Sequence, residues 1–107
     1  MGSKWLNTLG LARRAGKVII GEKLLESIKA KKVDLVIIAS DCGDSNKKKY
    51  SDKCKFYGIK YYIDGSKVDL SIAVGKGNIS VIGVDDSSLA KLIEKNMKAG
   101  DWYGKKV

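Results

Sequence analysis

The chain contains no histidine among its 107 residues. This removes the commonest general acid–base side chain and the most frequent metal ligand. Cysteine is scarce: Cys42 and Cys54 stand twelve residues apart, and without histidine their spacing assembles no zinc set. A disulfide between them is possible on paper but unsupported, so both read as reduced thiols of a cytosolic protein, with Cys54 as a core residue. There is no proline, no internal repeat and no low-complexity tract, and nothing marks a domain boundary. One domain over residues 1–107 is expected, with a core at about 5–98 and a C-terminal tail, "AGDWYGKKV", that is partly disordered. No apolar run approaches the roughly 20 residues of a membrane helix. The opening "MGSKWLNTLG" lacks the apolar stretch of a secretory signal, and Leu6 stands where a myristoylation site wants Ser or Thr. The reading is therefore cytoplasmic, with no membrane partner.

What the chain does have is positive charge. Twenty-one Lys and Arg face 12 Asp and Glu, a net charge of +9 with a pI near 9.6. On so short a chain this points to a polyanionic partner. Hydrophobic residues make up 44% and charged residues 31%, the proportions of an ordinary globular domain.

Periodicity alternates along the chain. "WLNTLGLARRAG" sets Trp5, Leu9 and Ala12 on one helical face, and Gly16 is a stop signal. "KVIIG" suits a brief strand. "EKLLESIKAKK" aligns Leu24, Leu25 and Ile28, and "VDLVIIAS" (33–40) suits a strand buried on both faces. A third helix carries Tyr50, Cys54 and Tyr57 on one side, with Asp44 or Ser45 as its cap. "IKYYID" (59–64) reads as a strand, "SKVDLSIAVG" as a helix from a Ser66 cap to a Gly75 stop, and "ISVIGV" (79–84) as a strand. The last helix sets Leu89, Leu92, Ile93 and Met97 inward and Lys91, Lys95 and Lys98 outward. Strands separated by helices of about ten residues imply crossovers, with helices on both faces of a sheet.

Enzymatic signatures are thin. "GKGNIS" (75–80) lacks the spacing of a phosphate-binding loop and precedes a strand instead of a helix. Asp41 ends the central strand, where α/β folds often hold catalytic acids, so a receiver-like domain phosphorylated at Asp41 stays open. Asp41 also suits a loop-ordering role, accepting backbone hydrogen bonds. Basic residues recur where loops meet helices: Arg13, Arg14 and Lys17, then Lys23, Lys47 to Lys49, Lys67 and Lys76. Glycines accompany them at Gly16, Gly21, Gly43, Gly75 and Gly77, and small residues admit a phosphate or an unpaired base close to the backbone. The run Lys47, Lys48 and Lys49 falls in what reads as a helix's first turn, against the helix dipole. A phosphate contact offers a reason for it.

"LGLARRAGK" (9–17), Gly21, "LVIIASD" (35–41), "NKKKYSDKC" (46–54), "YGIKYY" (57–62) and "SKVDLSIAVGK" (66–76) together resemble the bacterial YlxQ-like proteins, within the L7Ae superfamily of kink-turn RNA binders. The resemblance covers about residues 5–98. It implies a three-layer α/β/α sandwich around a four-stranded mixed sheet, and a non-catalytic, ribosome-associated protein that recognises bent or kink-turn-like RNA. It implies no cofactor and no metal, and a monomer is favoured. Relatives clamp the bent RNA between the start of the second helix and the loop before the last strand. A Gly-x-Asn-Glu pattern opens that helix and reads the sheared G·A pairs. Gly21 matches its glycine, with Glu22 next. Lys23 falls at the Asn position and Leu24 at the Glu position, where it cannot accept a hydrogen bond from guanine. Ser27, or Glu26 with the gap placed differently, replaces a backbone-contacting lysine. Leu24 also fits a core role facing the sheet beside Ile28. The second arm maps to Lys76, Gly77, Asn78 and Ile79, with Ile79 packing against the flipped-out base, and Lys67 matches a superfamily lysine near the RNA. Arg14, Lys17, Lys47, Lys48 and Lys49 are further candidates for the RNA backbone. A receiver-like signalling or enzymatic domain and a protein-interaction adaptor remain the alternatives.

Overall fold

The computed structural model describes residues 4–97; the expectations for Lys98 and for the tail with Trp102 and Tyr103 lie outside the described residues. Along them run α1 (Lys4–Arg14), β1 (Val18–Ile19), α2 (Glu22–Lys29), β2 (Leu35–Ile38), α3 (Asp44–Tyr57), β3 (Tyr61–Ile63), α4 (Lys67–Val74), β4 (Val81–Val84) and α5 (Ser87–Asn96). The strands form one mixed sheet in the order β1-β4-β2-β3. Strand β4 is antiparallel to both β1 and β2, while β2 and β3 are parallel. Helices α2 and α3 pack together on one face, and α1 packs on α4 and α5 on the other. This is the three-layer α/β/α sandwich. None of the helices among the described residues is long and apolar enough to cross a membrane.

The centre is aliphatic. Strand β2, "LVII", is buried at every position, as a strand covered by helices on both faces must be. Trp5, Leu9 and Ala12 bury one face of α1, and Leu24 and Ile28 bury that of α2. Gly83 of β4 is where α2 comes closest to the sheet: a Cβ there would collide with the Leu24 methyl and come within 2.9 Å of Val33. Absence of a side chain at 83 is thus what lets Leu24 seat.

Helix α4 keeps the predicted boundaries. Ser66 Oγ accepts from Asp69 N–H at 3.0 Å while Ser66 N–H donates to the Asp69 carboxylate at 3.4 Å, and Gly75 ends the helix in the left-handed region. Three expectations change. Helix α3 starts from Gly43 with no side-chain cap, and Asp44 occupies its first helical position. The lysine run therefore begins at the fourth position and extends into the second turn. On α5, Ala90, Ile93 and Met97 are buried and Leu89 is half-buried, but Leu92 is 42% exposed. Helix α5 packs on α1 and β4 through the other four.

Candidate nucleic-acid interface

Strand register decides which loops meet. Ile19 pairs with Gly83, while Ile38 pairs with both Val81 and Ile63. The C-terminal ends of β1, β2 and β3 and the entry to β4 therefore share one rim, on which α2, α3 and α4 start. A cleft of about 340 Å³ opens there. Its walls are Ile20 and Gly21 from the β1–α2 turn, Asn46 and Tyr50 from α3, and residues 76–81. The two arms proposed from the sequence, Gly21 and the 76–79 loop, thus line one concavity.

The helix starts on this rim differ in how they are closed. Ser66 caps α4, and elsewhere Asp86 caps α5 by accepting from Leu89 N–H at 2.9 Å. Helices α2 and α3 begin instead at Gly21 and Gly43, with no side chain bonded to their first amides. Their leading N–H groups and the positive ends of their dipoles are left to the rim. Gly21 holds φ +73 and ψ −152, a region essentially confined to glycine. Its place is therefore fixed by the turn as well as by its position in the cleft.

The predicted residues divide in two. Glu22 and Lys23 are exposed in the first turn of α2, and Lys76, Gly77 and Asn78 are exposed on the opposite wall. Asn78 is held at φ +58, a left-handed conformation that asparagine tolerates better than most residues. Lys67 is exposed at the start of α4, and its N–H donates to Asp41 Oδ1 at 2.8 Å. Asp41 thus accepts a backbone hydrogen bond, as expected of it, and ties the end of β2 to the start of α4. Ser27 is half-buried in the last turn of α2 and does not line the cleft.

Leu24 and Ile79 are corrected. Leu24 is wholly buried and offers no surface to a ligand; the spacing that set it beside Ile28 marks the core face of α2. Ile79 underlies the cleft but is buried, its side chain is part of the core, and its N–H donates to Ser71 Oγ at 3.0 Å. It presents no free apolar face for a flipped-out base. Lys17 is misplaced as well. Its carbonyl accepts from Asp85 N–H at 2.8 Å, past the far end of β4, so it lies at the opposite rim. Arg14 is exposed in the last turn of α1, and its neighbour Arg13 donates from Nε to the Val74 carbonyl at 3.2 Å.

The lysine run splits by contact. Lys47 Nζ donates to the Ser40 carbonyl at 2.9 Å, Lys48 pairs with Asp52 at 3.3 Å, and Lys49 stands over the Tyr50 ring at 5.9 Å. Lys49 is therefore the member whose ammonium stands over a ring of the cleft.

Asn46 and Tyr50 were not among the predicted site residues. Tyr50 is half-buried, and that burial, reinforced by the neighbouring Cys42 thiol and Glu22 carboxylate, holds its phenol above the ordinary range. The hydroxyl stays a hydrogen-bond donor beside the start of α2. The sequence contained one signal for the pair: Asn46 stands four residues before Tyr50, on the same helical face.

The chain matches the family described as ribosomal protein L7Ae/L30e/S12e/Gadd45 over residues 3–98. It belongs to that family. Within it the resemblance to the YlxQ-like branch holds: the Bacillus subtilis RNA-binding protein YlxQ is 37% identical over 94 residues, covering 86% of this chain and 94% of that relative. A solved structure of a Bacillus halodurans protein of unknown function superposes with a TM-score of 0.83 at 38% identity, covering 88% of this chain and 96% of the other. The Giardia lamblia 15.5kD RNA binding protein superposes with a TM-score of 0.72 at 21% identity, covering 90% of each chain. At that identity the likeness concerns the fold.

Proposed function

We propose that this chain is a non-catalytic, ribosome-associated protein that binds structured RNA, with the rim cleft selecting a bent, kink-turn-like conformer. The carrying observation is that Gly21, Asn46, Tyr50 and residues 76–79 line one cleft beside two helix starts that no side chain caps. Family membership and the RNA-binding name of the YlxQ relative support the RNA-binding part of this reading, as does the net charge of +9.

Each group has a chemical part. Uncapped amides at a helix start accept an anion, and a phosphate is the anion RNA supplies. Lys23, Lys49 and Lys76 add screened positive charge around it. Glu22, exposed in the first turn of α2, offers a carboxylate acceptor to a base amino group, which Leu24 cannot do from the core. Asn78 and the Tyr50 hydroxyl supply polar contacts from the two walls. A straight duplex reaches only the outer lysines. A sharply bent strand can enter the cleft, so binding shifts the RNA toward its bent form.

The test is a titration of a kink-turn RNA against a straight duplex of equal length at two salt concentrations. Tighter binding of the bent RNA is expected, and Lys23→Glu together with Asn46→Ala should abolish that preference. Gly21→Asp is a poor probe, since strain at this backbone position would confound it. A wild-type protein that binds both RNAs equally, or a double variant that keeps the preference, rejects the assigned site.

A further inference from the structure

We propose that the rim opposite the cleft carries a second RNA contact, a groove that takes a short single-stranded segment. The groove, about 520 Å³, is lined by Lys31, Asp34, Tyr57, Lys60, Lys91 and Glu94 among others. Asp34 and Lys60 immediately precede β2 and β3. It therefore lies at the N-terminal ends of the two parallel strands, while the cleft lies at their C-terminal ends.

Its charge is positive once internal pairs are counted. The Glu94 carboxylate is engaged by Lys60 Nζ at 3.6 Å and by the Tyr62 hydroxyl at 3.1 Å. Of the charged lining residues that leaves Lys31, Lys91 and Asp34, a surplus of positive charge. Lysines in the last turn of a helix have a local reason to be there, the negative end of the dipole, and Lys29 and Lys55 are of that kind. Lys60 is held by Glu94 and Lys31 follows the end of α2, but Lys91, midway along α5, has no such local reason. Lys31 sits at φ +58 as the left-handed residue that ends α2, its N–H donating to the Ile28 carbonyl at 3.0 Å and that of Lys32 to the Ser27 carbonyl at 2.8 Å.

Beside the groove stands Phe56, 80% exposed. Its ring meets the groove residue Tyr57 edge to face, with centroids 4.8 Å apart and planes at 81°. The contact sets the Phe56 ring against Tyr57 and leaves most of it to solvent. An exposed ring beside a groove that carries lysines is an arrangement on which unpaired bases stack, since every base offers a π-face and every linkage a phosphate. A paired duplex hides its bases from such a ring. The occupant is thus single-stranded, and the ring, on which any base can stack, favours nucleic acid over a run of acidic residues. This inference does not depend on the cleft: it concerns different residues and a different form of RNA.

The full-length chain is titrated with a labelled oligoribonucleotide of about ten unpaired nucleotides, alone and with the cleft pre-saturated by an unlabelled bent RNA. Binding at one site, steeply salt-dependent and retained when bent RNA is present, is expected. Phe56→Ala should weaken it about tenfold and Phe56→Trp should retain it. Lys31→Glu with Lys91→Glu should weaken it and flatten the salt dependence by about 0.7 for each phosphate no longer neutralised. These side chains are exposed, so unchanged circular dichroism is expected for the variants. The proposal is overturned if Phe56→Ala binds as wild type does, if bent RNA displaces the oligonucleotide, or if an oligoglutamate peptide of equal length competes as well as RNA.

Discussion

Gly83 and Leu24 occupy one space: the Leu24 methyl rests where a side chain at 83 would begin, with Val33 beside it. Leu24 thereby serves as the bolt that fastens α2, and with it the uncapped helix start, to the sheet. Gly83→Ala should lower unfolding free energy by about 1–3 kcal/mol through overpacking, and Leu24→Ala by about 2–5 kcal/mol. The two should not add, because truncating Leu24 frees the room that a methyl group at position 83 needs. Urea denaturation of both single variants and the double would show a double variant more stable than the sum predicts. Strict additivity would mean the contact is absent.

The lysine run gives a prediction that separates its members. Lys47→Ala removes the hydrogen bond to Ser40 and should cost about 1 kcal/mol of stability. Lys48→Ala breaks an exposed pair with Asp52 and should change stability by less than about 0.5 kcal/mol. Lys49→Ala should leave stability alone while weakening RNA binding and its salt dependence more than Lys48→Ala does. Thermal melts and RNA titrations on the three variants decide this. Equal RNA effects at positions 48 and 49 would detach Lys49 from the cleft.

On the opposite wall, Asn78 and Ile79 should respond in opposite ways. Asn78→Gly relieves a left-handed backbone, so stability should hold or rise slightly, while RNA affinity falls with the lost amide. Ile79→Ala removes a buried side chain and should cost about 2–5 kcal/mol. Chemical denaturation paired with binding at a temperature where both variants stay folded would separate the two effects. A stable Ile79→Ala protein with lost RNA binding would restore the surface role that its burial argues against.

Cys54 predicts a pH dependence. Burial pushes its thiol from 9.0 up to about 12. Between those values the unfolded chain releases this proton and the folded one keeps it. Stability from this group is therefore fully present below pH 9 and falls as pH rises toward 12. The raised phenol of Tyr50 acts with the same sign. Urea midpoints measured across this range should decline, and more steeply for wild type than for Cys54→Ala. Identical slopes would mean that the thiol titrates normally.

Much of this architecture was legible in local pattern. Ser66, Asp69 and Gly75 bounded α4 because a capping box and a left-handed stop act within a few residues. Trp5, Leu9 and Ala12 announced the buried side of α1 because helical spacing alone sets which side chains share a face. The start of α3 was misread because Asp44 and Ser45 are good caps by composition, yet Gly43 is the residue whose backbone turns first. Leu92 was misplaced because periodicity gives the direction of a face and not the width of the neighbour that covers it.

The amino-acid order by itself determined the alternating elements, the basic excess and the family, since each is written in short-range pattern or in summed charge. Tertiary structure decided which of those basic and glycine-rich loops meet. Strand register brought Gly21, Asn46, Tyr50 and residues 76–79 to one rim and sent Lys17 to the other, and packing depth took Leu24 and Ile79 out of solvent's reach. Register and depth arise from contacts between residues far apart in the chain, and a single sequence states such pairings nowhere.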